Sequence, residues 1–344
     1  MKSWANKENC GIPVGKGLLE DQTFLGNIFI FDDQIKFKQS NMLPYPGITE
    51  INNIIYDEKY PDYCQLDVLF NESKKGRFTE GKYPVLLNIH GGGWIVGDKS
   101  YRRGYCMMFA HEGFFVVNIN YCFGPKYKFP VNVQNVSRAI EWIYENKDKY
   151  NLDLENVSVC GDSAGGHLSG MALACQQNKE LRDKLSVPEP KVTINKAILH
   201  SSVLYFDRPI FYFPIMSTMV KSLTGVMRRK DYSAYEFAKE VSPANYIDKD
   251  YPEIMIATGR TDFFTKFQNK DLVKKLDEVG AKYRYRHFKT FLNSFHCFHL
   301  KPWMNGANRA CLECVKFLME DLVKDKSELD LVLSYKEFKK QLKK

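Results

Sequence analysis

The stretch Gly161-Asp162-Ser163-Ala164-Gly165-Gly166-His167 follows the apolar run Val157-Ser158-Val159-Cys160 and sets a hydroxyl between glycines two residues away on either side. This order predicts a strand, a sharp turn with Ser163 at its apex, and then a helix, because the glycines leave room for a crowded backbone. Such a turn presents the Ser163 hydroxyl as a nucleophile. Residues 164 to 174 are small and apolar enough for a buried helix, whose first N–H groups favour negative charge growing beside the serine. About seventy residues upstream, His90-Gly91-Gly92-Gly93-Trp94 follows Tyr83 to Ile89, a run with the length and β-branched content of a central strand. Glycines let backbone N–H groups approach an anion closely, so the amides of Gly91, Gly92 and Gly93, with that of Ala164, are expected to form an oxyanion hole. A flexible turn or a phosphate-cradling loop is the competing reading. Neither a P-loop Lys-Ser/Thr nor a G-x-G-x-x-G spacing follows the glycines.

Further segments join these two. They are Gly97-Asp98-Lys99, Tyr121-Cys122-Phe123-Gly124-Pro125 with Phe129-Pro130, and Ser242-Pro243-Ala244 with Thr258-Gly259-Arg260-Thr261-Asp262. In order and spacing, over about residues 60 to 325, the set resembles the hormone-sensitive-lipase-like carboxylesterases of the α/β-hydrolase fold. The resemblance implies an α/β architecture: a mostly parallel central sheet flanked by helices, with a cap from the N-terminal segment and an insertion. The sequence departs from the family at Cys122-Phe123-Gly124-Pro125-Lys126, where Arg-Leu-Ala-Pro-Glu is usual, and at Gln134-Asn135, where an acidic pair is usual. Altered local ion pairs and intact chemistry are expected there. His167, where many relatives carry Asn, and Asp162 read as structural hydrogen-bonding residues.

A serine hydroxyl is a poor nucleophile at neutral pH and needs a histidine base, itself oriented by a carboxylate. In this fold the chain order is Ser, then Asp or Glu, then His. Asp262 follows the predicted strand Ile254 to Gly259 by three residues and is the expected acid, although an isolated Asp there also reads as a helix cap. After a predicted helix over 271–279 and a strand over 283–288, the loop 290–299 supplies the base. His296 is the choice, in a His-Cys-Phe setting that resembles the His-Gly-Phe of the family; His299 remains a rival. His200, at the end of Ala197-Ile198-Leu199, and His287, inside the alternating strand, read as structural.

These groups need elements to hold them. Residues 61–325 are assigned to the hydrolase domain, with a cap insertion at about 204–245, an N-terminal cap segment at 1–60 and a charged C-terminal tail at 326–344. The N-terminal segment bunches Phe24, Leu25, Ile28, Phe29, Ile30 and Phe31, and the insertion carries Tyr205, Phe206, Phe211, Tyr212, Phe213, Met216 and Met219. The latter suit either an apolar acyl pocket or packing of the cap on the main domain.

A chain of 344 residues that is 44% hydrophobic and 14% aromatic buries a large core and accommodates one enlarged domain. Its formal charge of +8 is spread out, and the tail lysines Lys336, Lys339, Lys340, Lys343 and Lys344 read as a solvated helix end. No nucleic-acid-binding motif accompanies them. The nine cysteines are scattered, and the lone Cys311-x-x-Cys314 has no second pair, so free thiols are expected rather than disulfides or zinc. The first ten residues lack an apolar h-region and no stretch has the length of a membrane span, which predicts a cytoplasmic protein.

The chemistry expected is two-step acyl transfer on a small-molecule ester of short to medium acyl chain, with no metal and no organic cofactor. A second copy of the chain, as a homodimer, is the one macromolecular partner left open. Competing readings are an amide or sugar-acetate hydrolase built on the same groups, a non-catalytic ligand-binding homologue, and an interfacial lipase. The cations Lys221, Arg228, Arg229 and Lys230 in the insertion weigh against the last of these.

Overall fold

Along Tyr83–Ile89 and Phe115–Ile119 every residue is buried, which is what a strand covered on both faces requires. Alternate side chains go to opposite sides. Val85, Leu87, Ile89, Phe115, Val117 and Ile119 join one apolar cluster, while Leu86 and Val116 join the other. In this computed structural model, residues 45–206, 214–226, 229–289, 295–301 and 304–342 are described.

The strands are β1 (Thr49–Ile55), β2 (Gln65–Phe70), β3 (Tyr83–Ile89), β4 (Phe115–Ile119), β5 (Leu152–Asp162), β6 (Ile194–His200), β7 (Glu253–Gly259) and β8 (Tyr283–Phe288). They form one sheet in the order β1-β2-β4-β3-β5-β6-β7-β8. The β1/β2 and β2/β4 pairs are antiparallel and all others parallel. The principal helices are α1 (Arg103–Glu112), α2 (Val131–Glu145), α3 (Ala164–Gln177), α4 (Pro214–Thr224), α5 (Lys266–Val279), α6 (Asn305–Met319) and α7 (Tyr335–Gln341). Helices α2 and α3 contribute to the first cluster, and α1, α6 and α7 to the second. Each strand from β3 to β7 enters the loops of one sheet edge at its C-terminal end, so those loops converge there.

Three local readings of the sequence change. Strand β1 falls inside the stretch 1–60 assigned to a cap, yet it is hydrogen-bonded to β2 as the outer strand of the sheet; residues 1–44, with the Phe24 to Phe31 cluster, lie outside the described residues. Helix α5 starts at Lys266 rather than 271. The tail, read as a solvated helix end, is a helix whose inner face is also docked: Tyr335 and Phe338, one turn apart, are buried, and Phe338 stacks on Tyr45 at 4.7 Å. Its start is a capping box, in which the Ser334 N–H donates to Glu337 Oε2 at 2.9 Å and the Glu337 N–H returns to Ser334 Oγ at 3.4 Å. Lys339 and Lys340 remain exposed on the outer face, and Lys343 and Lys344 lie outside the described residues.

Candidate active site

Ser163 sits between the end of β5 and the start of α3 at φ +52°, ψ −113°, a conformation side chains rarely adopt. Its N–H donates to the His200 carbonyl at the end of the neighbouring β6, at 2.9 Å, which helps to hold the turn. The turn also requires close approach of α3 to β3. A Cβ on Gly165 would lie 2.0 Å from the Ile89 carbonyl oxygen, so no side chain fits there.

The loop after β3 brings Gly91, Gly92 and Gly93 beside that turn. Gly92 is at φ +133°, where an added Cβ would meet the Val96 carbonyl oxygen at 1.9 Å, and its own carbonyl accepts from the N–H groups of Ile95 and Val96. The backbone fold is thus one that only glycine permits at this position. Trp94, at φ +61°, closes the loop and is fully buried. Its indole N–H donates to His167 Nδ1 at 3.1 Å, and His167 Nε2 donates to the Val241 carbonyl at 2.8 Å. Burial pushes the His167 pKa down to about 4, so the ring is neutral and serves as donor on one side and acceptor on the other. Asp162 pairs with Arg102 through two contacts of 2.7 and 3.0 Å, both side chains buried. Both residues therefore have the structural roles expected of them.

The acid and base loops meet at the serine. His296 Nε2 lies 2.9 Å from Ser163 Oγ, and His296 Nδ1 lies 3.0 Å from Asp262 Oδ1. Asp262 is fully buried just ahead of α5, where its Oδ1 accepts from the N–H groups of Phe264 and Thr265 and its Oδ2 from the Thr265 hydroxyl at 2.7 Å. Its carboxylate thus holds the turn ahead of α5, whose N-cap position is Thr265, and faces His296 at the same time. Burial favours its neutral form, but His296 and the hydroxyls of Thr265 and Ser201 outweigh that and hold the carboxyl at about 2. Burial likewise opposes charge on His296, and Cys297 and Asp262 outweigh it, raising the imidazole well above its usual range.

The other histidines are elsewhere. His299 is buried and stacked on His200, with ring centroids 3.6 Å apart and planes 5° from parallel, while His200 Nε2 is 2.9 Å from the Tyr105 hydroxyl. His287 is exposed on the edge strand β8. Cys311 and Cys314 are buried in the same region, and none of the eight described cysteines forms a disulfide. At the departures from the family pattern, Asn135 Oδ1 accepts the Cys122 N–H at 3.1 Å.

From the insertion, Phe206 packs against Trp94 and His167, and Met219 of α4 lies against Gly93. Phe206, Met216 and Met219 are buried, which matches the packing reading for these three; residues 211–213 and Arg228 lie outside the described residues. Sequence reasoning missed Arg102 and Thr265. The first is sixty positions from its partner and carries no local signal, whereas the second was legible as the third residue after Asp262 at a helix start.

A mostly parallel sheet with Ser, Asp and His on the loops that follow β5, β7 and β8 at one edge defines an α/β hydrolase, and solved structures share the fold. Esterase B from Lactobacillus rhamnosis superposes with a TM-score of 0.75 at 19% identity, covering 92% of this chain and all of that one. A bacterial heroin esterase gives 0.68 at 20% identity, covering 87% and 92%. The family model BD-FAE matches residues 66–276. The chain belongs to that family, and it resembles the hormone-sensitive-lipase-like carboxylesterases of the α/β-hydrolase fold. Among curated relatives it is 27% identical to esterase LipC of Mycobacterium tuberculosis over 203 residues, 57% of this chain and 49% of that protein. It is 33% identical to arylacetamide deacetylase of Oryctolagus cuniculus over 201 residues, 55% and 47% of the two. The chain spans about half the length of the curated relatives it matches. No helix among the described residues is long and apolar enough to cross a membrane.

Proposed function

We propose that the protein is a serine hydrolase that cleaves small carboxylic esters by two-step acyl transfer. The observation that carries this reading is the continuous chain of contacts from Ser163 Oγ through His296 to Asp262, at 2.9 and 3.0 Å. His296 takes the Ser163 proton as Oγ attacks the ester carbonyl, and Asp262 holds the imidazole in the tautomer that exposes Nε2. The N–H groups of Gly91 to Gly93 and of Ala164 receive the developing oxyanion; such a donor is worth roughly 100- to 1000-fold in rate. His296 then returns the proton to the leaving alcohol, and a water deprotonated by the same ring hydrolyses the acyl-enzyme. The acyl chain is proposed to be short to medium, with Trp94, Phe206 and Met219 filling the space beside the glycine loop. Eight buried cysteines outside any disulfide, among the described residues, suit a reducing compartment such as the cytoplasm.

Similarity to a protein named arylacetamide deacetylase supports a second reading, hydrolysis of aryl amides by the same groups. Turnover of p-nitrophenyl esters from acetate to palmitate, beside aryl amides and acetylated sugars, separates the two. Highest kcat/KM on the shorter esters is expected; preference for amides would favour the second reading, and inertness towards the whole panel would sink both.

The raised His296 pKa sets the pH dependence. The base works only when neutral, so kcat/KM climbs as pH rises through a midpoint above the ordinary imidazole value of about 6.5, while Asp262 stays ionised throughout. An acid limb centred below that value would contradict the geometry of the pair.

A further inference from the structure

The chain that leaves the oxyanion loop soon turns back onto it. At Gly97, φ +120°, an added Cβ would lie 2.5 Å from both the Gly91 carbonyl oxygen and His90 Nδ1, so the return is as tight as glycine allows. The residues that follow are pinned to strands β2 and β4. Asp98 Oδ1 accepts the Ser100 N–H at 2.8 Å and starts the short helical turn Lys99–Arg102. The Lys99 N–H donates to Asn120 Oδ1 at 2.7 Å, the Lys99 carbonyl accepts from Asn118 Nδ2 at 2.7 Å, and its buried ammonium pairs with Asp67 of β2 at 2.8 Å. Arg102 is therefore carried by an anchored arm.

Its guanidinium closes on the residue before Ser163. Arg102 Nε donates to Asp162 Oδ1 at 3.0 Å and Nη2 to Oδ2 at 2.7 Å, with both side chains 3% exposed. Two parallel bonds fix the carboxylate in direction as well as distance, which a single contact does not. On its other side the carboxylate meets the oxyanion loop: a Cβ on Gly91 would lie 2.4 Å from Asp162 Oδ2 and 2.6 Å from the Asp162 carbonyl oxygen. Asp162 is thus wedged between the guanidinium and the first glycine of the loop, while its backbone continues into Ser163 and the Ala164 N–H. The nucleophile turn and the oxyanion glycines are spaced from each other through this side chain.

We infer that Arg102 is a positioning residue for the hydrolysis, which by gripping Asp162 sets the spacing between Ser163 and the oxyanion donors at Gly91 to Gly93. This rests on the reading of Ser163 as the nucleophile and of those amides as the donors. An oxyanion donor acts over a narrow range, about 2.7–3.1 Å from the charged oxygen, so a shift of the turn against the loop falls on the transition state more than on substrate binding. Arg102 acts through Asp162 and is not itself a catalytic group.

Arg102→Lys tests this, because lysine keeps the charge but cannot form the two parallel bonds. Methionine would strip a buried carboxylate of this cation and put folding at risk. On a p-nitrophenyl ester, kcat per folded molecule is expected to fall about 10-fold with KM little changed, the loss of one hydrogen bond to a charged group. Asp162→Asn, which keeps the shape of the side chain and weakens the same grip, is expected to cost a similar factor. Inactivation by a phosphonate ester, which traps the same tetrahedral geometry, slows in parallel. The double variant decides the route: if Arg102 acts through Asp162, it loses no more than about twofold beyond the worse single variant. Native kcat in either single variant, a change in KM alone, a lowered Tm with kcat per folded molecule kept, or losses that multiply in the double variant would each overturn the inference. Full activity in Ser163→Ala would instead overturn the reading of the nucleophile on which it rests.

Discussion

Ser163→Ala is expected to lower kcat on a p-nitrophenyl ester by roughly 10⁵- to 10⁶-fold while leaving KM and thermal unfolding close to native. The size follows from the mechanism rather than from one lost contact. Without Oγ there is no covalent intermediate, and His296 has no hydroxyl to deprotonate, so base and acid lose their function together. Only electrostatic stabilisation by the glycine loop and substrate binding remain. Folding is little affected, because alanine keeps the Cβ at φ +52° and the bond from the backbone N–H to the His200 carbonyl. A phosphonate ester supplies a complementary readout: the native protein gains a covalent adduct on the peptide containing Ser163, and the alanine variant gains none. A variant that kept most of its turnover would place the nucleophile elsewhere.

His296→Ala should cost nearly as much, since removing the base disables the same step as removing the nucleophile. The informative control is His299→Ala. His296 is partly accessible, with a side chain 20% exposed, and its ring bridges Ser163 and Asp262. Its loss therefore falls on kcat, with thermal stability nearly intact. His299 is the reverse case: 1% exposed and face to face with His200 inside the packed layer below the site. Emptying that space is expected to cost on the order of 3 kcal/mol of stability, read as a lowered Tm, with kcat per folded molecule largely kept. Loss of activity in His299→Ala alone, with His296→Ala active, would reverse the assignment.

The sequence distinguishes these two histidines only through neighbouring residues, which marks where legibility ends. Runs such as Tyr83 to Ile89 declare a doubly covered strand by composition, and the glycines around Ser163 declare a crowded turn by their spacing, so the sheet centre and the nucleophile are readable locally. Asp262 and His296 needed the chain order of the fold, because neither carries a local pattern that separates catalysis from capping or packing. Contacts that cross the sequence were not readable: the Arg102–Asp162 pair, the Trp94–His167–Val241 chain and the bond from the Cys297 N–H to Ser201 Oγ depend on segments brought together by β-strand order. The docked tail was missed for another reason. Its lysines dominated the composition, although Ser334-Tyr335-Lys336-Glu337 spells a capping box and Tyr335 with Phe338 an apolar stripe.

The line of hydrogen bonds from Trp94 through His167 to Val241 bears on how this fold diversifies. Insertions between β6 and β7 are a natural place to exchange whole segments between relatives in search of altered specificity. Here the segment is no detachable cassette, because its Val241 carbonyl terminates a polar thread that begins in the oxyanion loop. A chimera lacking an acceptor at that point strands a buried imidazole N–H, a penalty of about 1–3 kcal/mol, and loosens the ring that anchors the indole. A recombinant that preserves this thread has to carry the residue at 167 together with the insertion.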